Sequence, residues 1–161
     1  MNSSGGMSGP LYFEDVTVGD TERFGRYEVT REEIIEYARQ FDPQPFHVDE
    51  EAAKASMFGG LIASGWHTGA MLMRMICDHA IPGSATTGAL GFDDLKWLKP
   101  VRPGDILSVE TVVLEKTESR SRTDIGVVKV EGRVFDQRGE MKMTLVSLVL
   151  YRRRSARPAT G

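Results

Sequence analysis

From Ala70 to Cys77 every residue except Arg74 is apolar, inside a segment with helix signals at both ends. Ser64 and Gly65 open it, Trp66 to His79 form its body, and Pro82-Gly83 ends it. A helix apolar on almost all sides has to be covered on almost all sides, so it belongs inside the fold. The chain that follows supplies a cover. Residues 90–97, 106–115, 127–135 and 141–151 read as four strands. In the third, Val128, Val130 and Val134 alternate with Lys129, Glu131 and Arg133, the period of a half-buried strand. Asp136-Gln137-Arg138-Gly139 reads as a hairpin turn, and Lys99 to Asp105, with two prolines, as a rigid connection.

Ahead of the apolar helix, Thr21 to Tyr27 reads as a short strand. Thr30-Arg31-Glu32-Glu33 is a capping box, in which the Thr30 hydroxyl accepts from the Glu33 backbone and the Glu33 side chain reaches back. Ile34, Ile35, Tyr37, Ala38 and Phe41 then repeat at helical spacing. Pro43 disfavours helical geometry in the residue before it, so the helix stops near Phe41 or Asp42. Asp49 caps a second short helix over 50–57, broken by Gly59-Gly60. Helices grouped before a strand meander predict an α+β fold, most economically one antiparallel sheet wrapped around a central apolar helix. Such a sheet keeps two open edges, and pairing across one of them predicts a homodimer.

The 161 residues fit one domain, expected over 11–152, with a flexible leader (1–10) and tail (153–161). The leader lacks the basic start and apolar core of a secretory signal. No stretch approaches the ~20 apolar residues of a membrane span. A formal charge of −3 argues against a nucleic-acid partner, and Arg152-Arg153-Arg154 reads as a solubilising strand end. The single cysteine, Cys77, excludes an internal disulfide and fits a reducing, cytoplasmic setting.

Chemistry concentrates between Phe41 and Gly69. Asp42 and His47 are separated by four residues, of which Pro43 and Pro45 stiffen the connection. A carboxylate and an imidazole facing one water supply the base and the acid needed to hydrate a double bond beside a thioester. The thioester oxygen then needs a donor for its developing charge. The backbone N–H of Gly65, at the start of the apolar helix, is suited to that role. A glycine there also admits close approach of substrate to the backbone.

Asp42-Pro43-Gln44-Pro45-Phe46-His47, followed by Phe58-Gly59-Gly60-Leu61-Ile62-Ala63-Ser64-Gly65, resembles the MaoC-like dehydratase family, which includes the (R)-specific enoyl-CoA hydratases. The similarity runs from about Leu11 to Tyr151, because the order of elements also matches. It implies a hot-dog fold and a dimer. It also implies reversible hydration of a 2-enoyl-CoA to a 3-hydroxyacyl-CoA with no metal or redox cofactor, CoA being part of the substrate. By the family pattern the catalytic residues fall on Asp42 and His47, and the amide that binds the thioester carbonyl falls on Gly65. Met73 and Ile76 fall where such enzymes shape the acyl pocket, and Trp66 would add to an apolar lining. Gln44 stands where the hydratases often carry asparagine, a departure that bears on the substrate more than on the chemistry.

Other residues divide between chemistry and packing. His67 is a rival base, or else caps the helix or lines the pocket. His79, near a helix C-terminus, faces the favourable end of the dipole. The histidines at 47, 67 and 79 lack zinc spacing. Ser64 has no strand–turn–helix elbow around it and reads as a helix cap beside the substrate. Met71, Met73 and Met75 read as core or pocket lining, and Cys77 as packing. CoA phosphates call for cations, for which Lys96, Lys99 and Arg102 are the candidates by position. A hot-dog thioesterase would place a carboxylate on the central helix, which here offers only Asp78 near its far end. A non-catalytic acyl-CoA binding subunit would not need both Asp42 and His47.

Overall fold

The apolar segment forms one helix, α4 (Gly65–His79), laid against a five-stranded antiparallel sheet. The computed structural model describes residues 9–154, so most of the expected leader and tail lie outside the described residues. The strands are β1 (Thr21–Glu28), β2 (Thr86–Trp97), β3 (Ile106–Glu118), β4 (Ile125–Phe135) and β5 (Met141–Arg152). Their order across the sheet is β1-β3-β4-β5-β2, with every neighbouring pair antiparallel. This is the expected α+β hot-dog arrangement, with α4 as its centre.

Before α4 come α1 (Arg31–Phe41), α2 (Pro45–Val48) and α3 (Glu50–Ala55). Thr30 caps α1 as predicted, its Oγ1 accepting from the Glu33 N–H at 3.2 Å. The reciprocal half of the capping box does not form, because Glu33 turns its carboxylate to Tyr27 and His67 instead. The α2 turn was not foreseen. Pro45 sits at its first position, where a missing N–H leaves nothing unsatisfied, so the proline that was read as a stiffener starts a helix. The α3 helix ends at Ala55, two residues short of expectation.

Met71, Leu72 and Met75 of α4 are fully buried against Leu107, Val109, Val134, Met143 and Leu145 of the sheet. Each such side chain contributes about 1.5–3 kcal/mol relative to exposure. In β1, Gly25 adopts φ +84° at a bulge, and any side chain there would run into Met75, so the glycine lets helix and strand close together. On β4, Val128 shares its parity with Val134 but packs with Phe13 and Val16, so a short N-terminal turn (Phe13–Asp15) covers that end of the sheet.

The all-round burial expected for α4 is not what the single chain achieves. One sheet covers one stripe of a helix. Trp66, Ala70, Met73 and Cys77, spaced i, i+4, i+7 and i+11, lie exposed on the opposite stripe. At the sheet edge, β2 likewise exposes Leu90 and Phe92.

Candidate active site

Two elements meet at the mouth of α4. Asp42 is the residue where α1 ends, and His47 lies in α2. Their side chains converge, with His47 Nε2 at 3.4 Å from Asp42 Oδ2. His47 is 4% exposed, and its Nδ1 lies 2.7 Å from the Ile62 carbonyl oxygen. A carbonyl only accepts, so Nδ1 carries a proton and donates, and Nε2 is the ring nitrogen that faces Asp42.

Asp42 is held by two further donors. The Ser64 hydroxyl donates to Oδ2 at 2.6 Å, and the Gln44 amide donates to Oδ1 at 2.7 Å. Burial by itself would raise the carboxyl's pKa. The bonds from Ser64 and Gln44 and the proximity of His47 outweigh it, and the pKa falls below the usual aspartate value. Asp42 is therefore ionised at neutral pH. Ser64, fully buried, also accepts from the Trp66 N–H at 3.2 Å, so one hydroxyl caps α4 and fixes the carboxylate.

Asp42, His47 and Gly65 all line one cavity of about 450 Å³, together with Phe46, Phe58, Ile62, Trp66 and Trp97. Gly65 is the first residue of α4. Among the described residues no acceptor engages its N–H, which is available at the positive end of the helix dipole. The space beside its Cα is taken by the Trp97 indole. Glycine at 65 therefore makes room for a tryptophan, and the Trp97 ring becomes a wall of the site. Trp66 packs edge-on against it, with ring centroids 5.3 Å apart.

The remaining predicted site residues separate. His67, 2% exposed, lies on the other flank of α4 and lines a second cavity. Met73 is half exposed, Ile76 packs on the core, and neither lines the cavity of Asp42 and His47. Of the three cations, Lys96 pairs with Asp94 at 3.1 Å and the Arg102 guanidinium donates to the Phe58 carbonyl at 2.6 Å. Lys99 lines the cavity with no ion pair among the described residues. Three contributors escaped the sequence reading. The Ile62 carbonyl is backbone and carries no side-chain signal. Trp97 is brought to Gly65 from the end of β2. Lys142, 3% exposed, reaches the cavity wall while bound to Asp105, Asp136 and Glu140.

A hot-dog domain with a carboxylate and an imidazole converging at the N-terminus of its central helix belongs to the class of hot-dog hydratases and dehydratases. Residues 15–134 match the family described as MaoC like domain, and the chain belongs to that family. It is 35% identical over 114 residues to a 3-hydroxybutyryl-CoA dehydratase of Methylorubrum extorquens, covering 70% of this chain and 69% of that one. A solved MaoC-like dehydratase from Rhodospirillum rubrum superposes with a TM-score of 0.82 at 44% identity, covering 91% of this chain and 99% of that one. An unliganded (R)-hydratase from Pseudomonas aeruginosa shares the fold with a TM-score of 0.69 at 24% identity, covering 94% and 96%. Hydratase- and dehydratase-named relatives make the family one of hydro-lyases. No helix among the described residues is long and apolar enough to cross a membrane.

Proposed function

We propose that the protein hydrates a 2-enoyl-CoA thioester to the 3-hydroxyacyl-CoA, and dehydrates it in reverse, using Asp42, His47 and the Gly65 amide. The observation that carries this reading is the convergence of His47 Nε2 and an ionised carboxylate 3.4 Å apart, in one cavity with the helix-terminal Gly65. Water held between Nε2 and Oδ2 loses a proton to His47 as its oxygen bonds to C3 of the enoyl group. The C2=C3 electrons move toward the thioester, whose oxygen accepts from the Gly65 N–H. The imidazolium, stabilised by Asp42, then returns the proton to C2. One group thus serves as base and then acid, and no charge is left behind. Trp66, Trp97, Phe46 and Phe58 give the site an apolar lining.

Lys99, a cation at the cavity with no ion pair among the described residues, is suited to a CoA phosphate. The apolar stripe Trp66/Ala70/Met73/Cys77 and the β2 edge with Leu90 and Phe92 support a homodimer, in which a second copy covers the face of α4 that one sheet leaves open. Met73 would then contribute to the site from that interface.

Crotonyl-CoA tests the reaction, with loss of the enoyl absorbance and release of free thiol followed separately. Absorbance loss without thiol is expected. Thiol release without hydration would make the protein a thioesterase, and absence of both across a panel of enoyl-CoAs would make it a binding subunit.

A further inference from the structure

One wall of the cavity that holds Asp42 and His47 is a single stretch of chain, residues 97–101, every one of which lines it. Trp97 is the last residue of β2 and pairs with Met143 of β5. Beyond it the chain leaves the sheet, and Pro100 has no N–H with which to carry the ladder on. The stretch is held by two neighbours instead. The Ala63 N–H, next to Ser64 and Gly65, donates to the Val101 carbonyl at 2.8 Å. Lys142 grips the stretch twice. Its carbonyl oxygen accepts from the N–H groups of Leu98 at 2.8 Å and Lys99 at 3.3 Å, and its Nζ donates to the Pro100 carbonyl at 3.1 Å.

Lys142 is buried, as are Asp105 and Asp136 beside it. An ammonium has three hydrogens, and this one meets three acceptors: the Pro100 carbonyl, Glu140 at 2.8 Å and Asp136 at 3.3 Å, with Asp105 3.6 Å away. Burial would lower the pKa of Lys142, but the three carboxylates outweigh it and the pKa is raised, so the charge persists. Asp105 also accepts from the Arg102 N–H at 2.9 Å, which holds the far end of the same connection. A buried ion pair contributes little net stability compared with an apolar replacement, so stability alone does not account for a lysine at this place. What an apolar side chain could not do is hold the Pro100 carbonyl. Asp42 and His47, by contrast, are held by Gln44, Ser64 and the Ile62 carbonyl, none of which belongs to this stretch.

Building on the hydratase reading above, we propose that Lys142 is a positioning residue for thioester binding: it fixes the wall of residues 97–101, and with it Lys99 and the Trp97 ring that lies against Gly65, while taking no part in the chemistry. Without the ammonium the Pro100 carbonyl loses its donor, and the wall is held only by main-chain bonds at Leu98, Lys99 and Val101. Contacts from such a wall to the CoA thioester weaken alike in the ground state and the transition state. That raises KM and spares kcat, because the carboxylate and the imidazole keep their own supports.

Lys142→Met removes the ammonium and keeps an apolar stem. Its KM for crotonyl-CoA, and its Kd for butyryl-CoA, a saturated thioester that cannot be hydrated, should both rise about three- to tenfold while kcat stays within about twofold of wild type. Val128→Ala, a core change in the cluster with Phe13 and Val16, lowers the thermal midpoint without touching the wall and should leave KM and Kd at wild-type values. Lys142→Met with Asp136→Asn, which also withdraws a charge that Lys142 faced, carries the test if Lys142→Met does not fold. KM and Kd less than about threefold above wild type, a kcat that falls as far as KM rises, or an equal rise in Val128→Ala overturns the proposal and leaves the hydratase reading standing. A wild type that binds butyryl-CoA but hydrates no enoyl-CoA overturns that reading, and the Kd comparison then decides on Lys142 alone. No binding of butyryl-CoA overturns both.

Discussion

Ser64→Ala tests the site through a single oxygen. In the native structure that oxygen accepts from the Trp66 N–H and donates to Asp42 Oδ2, while fully buried. Loss of the cap costs about 1 kcal/mol. Loss of the bond to an ionised carboxylate costs about 1.5–3 kcal/mol more. The sum, about 2.5–4 kcal/mol, corresponds to a fall of roughly 5–15 °C in thermal midpoint for a chain of this size. The two parts separate in a double-mutant cycle. In an Asp42→Ala background the hydroxyl has no carboxylate to serve, so Ser64→Ala should cost only the cap, about 1 kcal/mol. Urea denaturation of the four proteins at neutral pH measures the difference, and kcat/KM of Ser64→Ala should fall about tenfold or more as Asp42 loses its orientation. Equal penalties in both backgrounds would refute the argument that Ser64 holds the carboxylate.

Asp42→Asn and His47→Gln should each reduce turnover of crotonyl-CoA by about 10²-fold or more. Because His47 is buried and donates to the Ile62 carbonyl, His47→Gln should also cost about 1–3 kcal/mol in a thermal melt, unlike a change at an exposed residue. Lys99→Glu should raise KM for CoA thioesters about tenfold with little change in kcat, and the wild-type KM should rise with salt as CoA phosphates are screened. Asp136 accepts at 2.9 Å from the N–H groups of Arg138 and Glu140 and pairs with Arg138 and Lys142. Burial alone would raise its pKa, but these donors hold it far below the usual aspartate value. A carboxyl depressed in the folded state stabilises fully above its unfolded pKa of about 3.9, and that contribution is lost as pH falls through the lower folded value. Asp136→Asn should therefore be less stable at neutral pH, by about 1–3 kcal/mol, as its charge-assisted bonds weaken and Lys142 keeps only Asp105 and Glu140. Its urea midpoint should vary less with acid than that of the wild type.

The sequence by itself determined the elements and their class. A nearly unbroken apolar run named α4, alternation named β4, and Thr30, Asp49 and Ser64 announced their helices, because these signals are local. It also marked Asp42, His47 and Gly65, since a carboxylate and an imidazole between prolines, followed by a capped helix start, form a compact pattern. Only the tertiary structure decided what those residues touch. The Ser64 hydroxyl reaches Asp42 across 22 positions, the His47 ring is oriented by a backbone carbonyl 15 residues away, and Trp97 arrives at Gly65 from a distant strand. Glu33 left its capping box for Tyr27 and His67 for the same reason. A side chain with several available partners is committed by packing, and packing is a property of contacts between distant segments that no local pattern encodes.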